Sequence, residues 1–78
     1  MTQEFQSTKD FSVGDLFLDR DGNLYCYIAK ISQWKKGAQY QYELKYFQDQ
    51  GRYWSIINTA RLKDRITYFG WKHVPVVK

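Results

Sequence analysis

The stretch that most constrains the fold is residues 24–31, LYCYIAKI. Apolar or aromatic side chains occupy both its odd and its even positions, and a strand of that composition is expected to be covered on both faces. Residues 20–23 (RDGN) lead into it with a turn signal, because Gly, Asp and Asn tolerate the positive φ that short hairpin turns require. We therefore predict a central strand that is entered through a β-hairpin.

The segments around this strand predict a mostly antiparallel sheet. Residues 11–19 indicate the other strand of the hairpin, interrupted at Gly14 by a bulge or a bend. Residues 39–48 alternate between aromatic or apolar even positions and polar odd positions, so they predict a strand with one buried face. A second turn, residues 49–52 (DQGR), precedes a fourth strand over residues 53–57. The buried face of the third strand is expected to consist of Tyr40, Tyr42, Leu44 and Tyr46.

The spacing of the apolar residues changes after residue 58, and residues 59–69 predict a helix. Asn58 or Thr59 can cap it, and its apolar side chains recur at steps of four and three. Its last five residues, taken alone, also fit a strand. Residues 71–77 predict a last strand, which should lie at an edge of the sheet because Pro75 has no N–H to donate. The apolar side of the helix is expected to comprise Leu62, Ile66 and Phe69.

Together these segments predict an α+β fold that is mainly β. It is a strongly bent antiparallel sheet of about five strands that closes toward a small barrel, with one helix before the last strand. Residues 11–78 are expected to form this single domain, since a chain of 78 residues buries only about 60% of its unfolded surface and has no room for a second core. Residues 1–10 lack hydrophobic periodicity and are expected to form a flexible N-terminal arm.

The residue types exclude several classes of site. The chain has a single cysteine, so no intramolecular disulfide is expected. It has no Cys/His cluster with the spacing of metal ligands, so no metal centre is expected. No signal peptide or long apolar segment is recognisable, so the expected location is a reducing cytoplasm. No Gly-rich phosphate loop, carboxylate pair or nucleophile-base signature is present. We therefore expect a protein that is not an enzyme, with no catalytic residues and no cofactor.

Three features that can carry chemistry elsewhere have simpler interpretations here. Asp19, Asp21 and Asn23 resemble the start of a calcium loop, but the Gly and the Glu that complete such a loop are missing, which leaves turn chemistry. Cys26, within the two-sided strand, is expected to pack as a small buried hydrophobe. His73 stands among aromatic residues, and the sequence places no nucleophile or carboxylate beside it.

The charge of the chain is regional. Residues 1–29 hold five acidic and two basic residues, a balance of −3, whereas residues 30–78 hold ten basic and three acidic residues, a balance of +7. Such an asymmetry is typical of a surface for nucleic acid or for an acidic protein, and it is equally compatible with a solvated basic face.

Fifteen Phe, Trp and Tyr residues in 78 exceed what a small core can hide. An exposed aromatic beside cations can stack on a base while the cations neutralise phosphates, and each stacked base contributes about 1–3 kcal/mol. Trp34 lies beside two lysines on a predicted loop, and Trp54 lies near Arg52 at the second turn. Both tryptophans can alternatively fold back over the open ends of the barrel, and for Trp54 we favour that packed interpretation. The candidate binding residues are Trp34, Lys35, Lys36, Lys45, Arg52, Tyr53 and Trp54.

Two stretches carry a family resemblance. Residues 11–17 (FSVGDLF) and 21–25 (DGNLY) resemble the opening hairpin of SH3-like barrels. Residues 70–76 (GWKHVPV), with the predicted helix before them, are similar to the tail of small uncharacterised proteins of bacteriophages and prophages of Gram-positive bacteria. The resemblance implies a cytoplasmic accessory protein with an SH3-like barrel, and it carries over no functional residues.

Two functions remain open at this point. The leading hypothesis is a non-enzymatic module that binds single-stranded or structured nucleic acid through the basic and aromatic residues. The alternative is a protein-interaction module that binds and modulates a host or phage protein. In that case the exposed aromatics anchor the interface and the basic half of the chain selects an acidic protein partner.

Overall fold

The computed structural model describes residues 3–33 and 39–76, which form one antiparallel sheet and one α-helix. The candidate binding residues Trp34, Lys35 and Lys36 lie outside the described residues. The elements in chain order are β1 (Gln3–Phe5), β2 (Leu16–Leu18), β3 (Leu24–Gln33), β4 (Tyr40–Tyr46), a 3-10 helix (Gln48–Gly51), β5 (Trp54–Asn58), α1 (Thr59–Tyr68) and β6 (Lys72–Val74).

The strands lie in the order β5-β4-β3-β2-β6, and β1 pairs with the far end of β3. The pairings of the described strands are all antiparallel. Short connections join β2 to β3, β3 to β4 and β4 to β5, whereas β1 with β3 and β2 with β6 are long-range pairs. The α+β, mainly β class is therefore confirmed. Within the described residues no pairing joins β5 to β6, so the sheet does not close on itself.

The central strand β3 is bent by a bulge. Between Ile28 and Lys30 the register against β4 shifts by one residue, which leaves Ala29 without a partner in that strand. The extra residue returns Ile31 to the buried face that Cys26 and Ile28 already share. A strand of ten residues thereby keeps its core side buried although the simple alternation is broken.

Only one face of β3 is covered by another element among the described residues. Helix α1 packs over the core face and buries Leu62 completely, as the sequence predicted. The expectation that β3 is covered on both faces is wrong, since the sheet is open and Leu24 remains 56% exposed. The buried apolar residues are Phe11, Phe17, Cys26, Ile28, Ile31, Tyr42, Leu44, Ile57 and Leu62.

Tyr42 shows how β4 organises the core. Its ring is fully buried, as the alternation predicted, and burial of its hydroxyl requires hydrogen-bond partners. Thr59 Oγ1 at the start of α1 donates to the Tyr42 hydroxyl at 3.2 Å, and Thr8 Oγ1 lies 3.2 Å from the same oxygen. One phenol thus connects the sheet, the helix and the N-terminal segment.

The helix prediction is confirmed to within one residue. Asn58 Oδ1 accepts a hydrogen bond from the Arg61 N–H at 2.8 Å, which satisfies a donor that the first helical turn leaves free. At the other end Gly70 has a φ of 78°, a conformation that costs glycine little. The reversal at Gly70 leads the chain into β6.

Three predicted strands are shorter than expected, and one of them, predicted over residues 39–48, spans Tyr40–Tyr46. The first begins only at Leu16, because the Asp15 N–H donates to the Ser12 carbonyl at 3.0 Å in a turn where Gly14 has a φ of 97°. The last strand is limited to Lys72–Val74. The turn predicted at residues 49–52 overlaps the 3-10 helix Gln48–Gly51 and extends one residue beyond it.

Part of the expected N-terminal arm belongs to the sheet. Gln3–Phe5 pairs with β3 at residues 31–33, a stretch that extends beyond the reach of β2. Lys30 Nζ lies 2.8 Å from Glu4 Oε1, and this hydrogen bond together with the charge of Glu4 raises the pKa of Lys30. The short strand forms because β3 offers it a free edge, which no local pattern in residues 1–10 indicates.

Candidate functional site

The face of the sheet that points away from α1 carries a continuous row of side chains. The register places Trp54, Lys45, Tyr27, Leu16 and Val74 opposite one another across β5, β4, β3, β2 and β6. Each alternates along its own strand with residues of the core face, so all five belong to the opposite face. We call this surface the outer face.

The outer face is unusually apolar for a surface that no described element covers. Trp54 is 60% exposed and Ile56 is 57% exposed. Phe47 packs beside Tyr27, with ring centroids 5.4 Å apart, and extends the aromatic area next to the row. A contiguous exposed apolar patch on a small protein typically marks an interaction surface. Its exposed large hydrophobic residues include Leu24, Phe47, Trp54, Ile56 and Val74.

Three lysines of the described residues lie on the outer face, of which Lys30 pairs in register with Glu43 and forms an ion pair with Glu4. Lys45 lies between Tyr27 and Trp54 in the row, and Lys72 of β6 pairs in register with Leu18 of β2. Neither the Lys45 nor the Lys72 ammonium group forms an ion pair with a carboxylate of the described side chains. Both positive charges are therefore available to an anionic ligand.

The structure brings together the described members of the predicted site in two groups. Lys45 and Trp54 are direct cross-strand neighbours on the outer face. Arg52 and Tyr53 are exposed on the segment that leads from the 3-10 helix into β5. The favoured packed interpretation of Trp54 is wrong: the sheet stays open, so there is no closed barrel end for the indole to cover.

Tyr53 lines a groove beside the outer face. The groove has a volume of about 380 Å³ and lies between the start of β5 and the ends of β3 and β4. The Tyr46 hydroxyl lies 2.7 Å from Ser55 Oγ, and burial raises the pKa of Tyr46, so the phenol stays neutral at physiological pH. The lining residues are Tyr25, Tyr46, Gln48, Tyr53 and Trp54.

Aromatic packing continues from this groove to the end of α1. Tyr25 has no partner in β2, because Phe17 pairs with Cys26 and Leu18 with Leu24, and its ring contacts Trp71 at 5.2 Å. The guanidinium of Arg65 lies 4.6 Å from the ring centroid of Phe69 and 5.9 Å from that of Trp71. This cation–π contact occupies Arg65 within the protein.

The buried Asp15 and the partly buried His73 form a pair that links the last strand to the turn before β2. His73 Nε2 lies 2.7 Å from Asp15 Oδ2, and the imidazole stacks on Phe17 at 5.2 Å. Burial acts to raise the pKa of Asp15, but hydrogen bonds from Val76, His73 and Ser12 outweigh it and hold the pKa below its usual value. The carboxylate is committed to binding two backbone N–H groups and a histidine, which is a structural role.

The other groups with reactive potential are also structural. Cys26 is fully buried, as predicted, and burial raises the pKa of its thiol to about 12. Asp19 Oδ1 accepts hydrogen bonds from the N–H groups of Asp21 and Asn23, which is the turn chemistry expected there. Among the residues that the structure describes, no group of three or more His, Cys, Asp or Glu side chains could hold a metal ion.

The sequence pattern missed several members of the outer face. Tyr27 belongs to a strand that was expected to be covered on both sides, and Leu16, Ile56 and Val74 were assigned no binding role. Phe47 falls two positions after Lys45 in the chain, at the spacing that places a residue on the same face of a strand. That spacing was the available signal for Phe47. For the others the signal is long-range, because it depends on which face the helix covers.

Comparison with known proteins provides no relative for this chain: no family model, no curated protein and no solved structure matches it. Across residues 3–33 and 39–76, no helix has the length and apolar character needed to cross a membrane.

Proposed function

We propose that this protein is a non-enzymatic binding module that holds single-stranded nucleic acid on the outer face. The observation that carries the proposal is the position of Lys45 between the aromatic rings of Tyr27 and Trp54 in one cross-strand row. Neighbouring strands lie about 4.8 Å apart, so the two aromatic residues are separated by roughly 10 Å. An extended strand of nucleic acid can stack bases at both positions while the ammonium group between them meets the backbone.

The surrounding charge supports an anionic ligand. Besides Lys45, Lys72 provides positive charge on the outer face, and Arg52 provides it before the start of β5. The excess of basic residues after residue 29 gives this half of the chain the sign that attracts phosphate. Trp34, Lys35 and Lys36 join the proposal as predicted contacts.

The biological setting is part of the same proposal. The opening hairpin supports a relationship to SH3-like barrels in an opened form, and the tail supports an accessory role of the phage or prophage type. A cytoplasmic location suits the buried thiol of Cys26, which a reducing compartment keeps unoxidised.

A titration of a fluorescent single-stranded oligonucleotide tests the proposal. We expect saturable binding whose logarithmic affinity falls linearly with the logarithm of the salt concentration, because cations on the protein displace counterions from the strand. Absence of saturable binding at low ionic strength would exclude nucleic acid as the ligand.

A protein partner is the second candidate, and one observation favours it. Leu24, Ile56 and Val74 expose aliphatic side chains on the outer face, and such side chains pack against proteins more readily than they stack on bases. A protein bound through these contacts should show a much weaker dependence on salt than an oligonucleotide does. A pull-down from bacterial lysate, with and without nuclease, compares the two classes directly.

A further inference from the structure

Strand β5 has one edge that no described strand occupies. The Tyr46 N–H donates to the Tyr53 carbonyl at 3.0 Å, so these two residues form a hydrogen-bonded pair of the β4–β5 ladder. The pairs that follow along β5 alternate between non-hydrogen-bonded and hydrogen-bonded. Ser55 and Ile57 therefore direct their backbone groups at β4. The N–H and C=O groups of Trp54 and Ile56 point the opposite way, toward the open edge, as does the N–H of Asn58.

This edge lacks the features that natural proteins use to prevent strand pairing. Trp54–Asn58 contains no charged residue and no proline, and the outer-face side chains of Trp54 and Ile56 are both more than half exposed. The edge strand β6, in contrast, has only three residues, begins with Lys72 and is followed by Pro75. Of these two ends of the sheet, the β5 edge is the one open to an additional strand.

We propose that the β5 edge binds an extended, acidic segment of a partner protein as an added antiparallel strand. Main-chain hydrogen bonds to Trp54 and Ile56 provide the affinity, and alternate side chains of the partner lie over the two apolar side chains on the outer face. Arg52 before the strand and Arg61 after it place positive charge at both ends of the edge. At the centre of β5, Ile56 pairs with Glu43 of β4, and that negative charge would repel an acidic residue of the partner. The acidic residues of the partner segment therefore belong at the two ends of that segment.

The same charges disfavour a second copy of this chain at the edge. Antiparallel pairing of two β5 strands about a twofold axis at Ile56 sets the Arg52 end of one copy against the Arg61 end of the other, and the axis repeats this at the opposite end. Positive charge then meets positive charge at both ends of the pair, which opposes association, whereas an acidic segment is attracted at both ends. The proposal concerns the backbone edge and goes beyond nucleic-acid binding on the outer face.

The test uses a substitution that removes only an outward donor. Ile56→Pro deletes the N–H that points to the open edge and leaves the hydrogen bonds from β5 to β4 in place, while Ile56→Thr keeps both the N–H and a branched side chain. The probe is a heptapeptide with two glutamates at each end and Val-Thr-Val between them, titrated into labelled protein and followed by NMR. A peptide with lysines in place of the glutamates is the charge control.

We expect the acidic peptide to shift the amide signals of Trp54, Ile56 and Asn58 and to slow their hydrogen exchange. The Ile56→Pro variant should bind about tenfold more weakly or worse, and Ile56→Thr should bind almost normally. The basic peptide should not bind. Unchanged amide signals, or equal binding by both variants, would overturn the proposal, as would concentration-dependent protection of the same amides without peptide. Ile56→Pro and Ile56→Thr change the same outer-face side chain, so a loss of oligonucleotide binding in both variants belongs to the outer face, whereas a loss of peptide binding confined to Ile56→Pro belongs to the backbone edge.

Discussion

His73 Nε2 lies 2.7 Å from Asp15 Oδ2, although the two residues are 58 positions apart in the chain. Asp15 is buried, at 2% exposed, and the His73 side chain is partly buried. The same carboxylate accepts hydrogen bonds from the N–H groups of Ser12 and Val76. The Asp15 side chain thus links the turn before β2 to strand β6 and to the segment that follows it.

Asp15→Asn should destabilise the protein by about 2–4 kcal/mol, because an amide cannot replace a carboxylate that accepts three hydrogen bonds on two oxygens. Chemical denaturation measures the free energy of unfolding. Asp19→Asn is the matched control, since Asp19 Oδ1 accepts both of its hydrogen bonds and an amide oxygen can do the same. Equal effects of the two substitutions would contradict the role assigned to Asp15.

Acid should weaken the wild type more than it weakens Asp15→Asn. The folded-state pKa of Asp15 lies below the ordinary value of 3.8 for this side chain, so the contribution of the carboxylate to stability is fully present above the unfolded-state pKa. That contribution is lost as the pH falls through the folded pKa. We expect the difference in unfolding free energy between the two proteins to shrink below about pH 4. Denaturation curves recorded from pH 7 to pH 2 measure it, and a constant difference would refute the pKa direction.

Trp54→Ala should weaken oligonucleotide binding roughly 5- to 150-fold, because it removes one stacking platform. The indole is 60% exposed, so the fold should tolerate the change. Fluorescence anisotropy provides the affinity. Tyr68→Ala is the control: this aromatic residue is 77% exposed but lies on α1, away from the outer face, and its loss should leave binding unchanged.

Lys45→Gln should lower the slope of log affinity against log salt by about one, because one phosphate contact is lost. The titration is repeated at several salt concentrations. Lys63→Gln serves as the comparison, since its ammonium group lies on α1, 3.4 Å from Asp10 Oδ2. A slope that changes equally in both variants would indicate a general charge effect instead of a contact at Lys45.

Cys26 should resist alkylation in the folded protein. With a pKa of about 12 only about one thiol in ten thousand is ionised at pH 8, and burial also blocks access. Mass spectrometry after iodoacetamide treatment should show little modification in buffer and complete modification in denaturant. Rapid modification under native conditions would show that the core opens around β3.

Local sequence signals predicted the regular elements well. The Asn58 cap and the apolar side chains at helical spacing located α1 to within one residue, and the alternation around Tyr42 and Leu44 identified the buried side of β4. Each of these signals acts between residues that are close in the chain. These local signals therefore do not depend on how the distant segments of the chain pack.

The candidate site was only partly predictable. Lys45 and Trp54 were named from a basic and aromatic composition, yet their direct cross-strand contact depends on the register of β4 and β5. Tyr27 was missed because residues 24–31 read as a strand covered on both faces. Its partial exposure follows from the open sheet, which the composition of the strand does not encode.

By itself the sequence determined that the segments of β2 to β6 become strands and that the segment of α1 becomes a helix, since hydrophobic period, capping and turn residues act locally. Only the tertiary structure decided which face of the central strand is covered, that Gln3–Phe5 joins its free edge, and that Asp15 meets His73. These outcomes require distant segments to pair in one register and to exclude water together. The free energy of such contacts depends on both of the segments that meet, so it cannot be read from either segment alone.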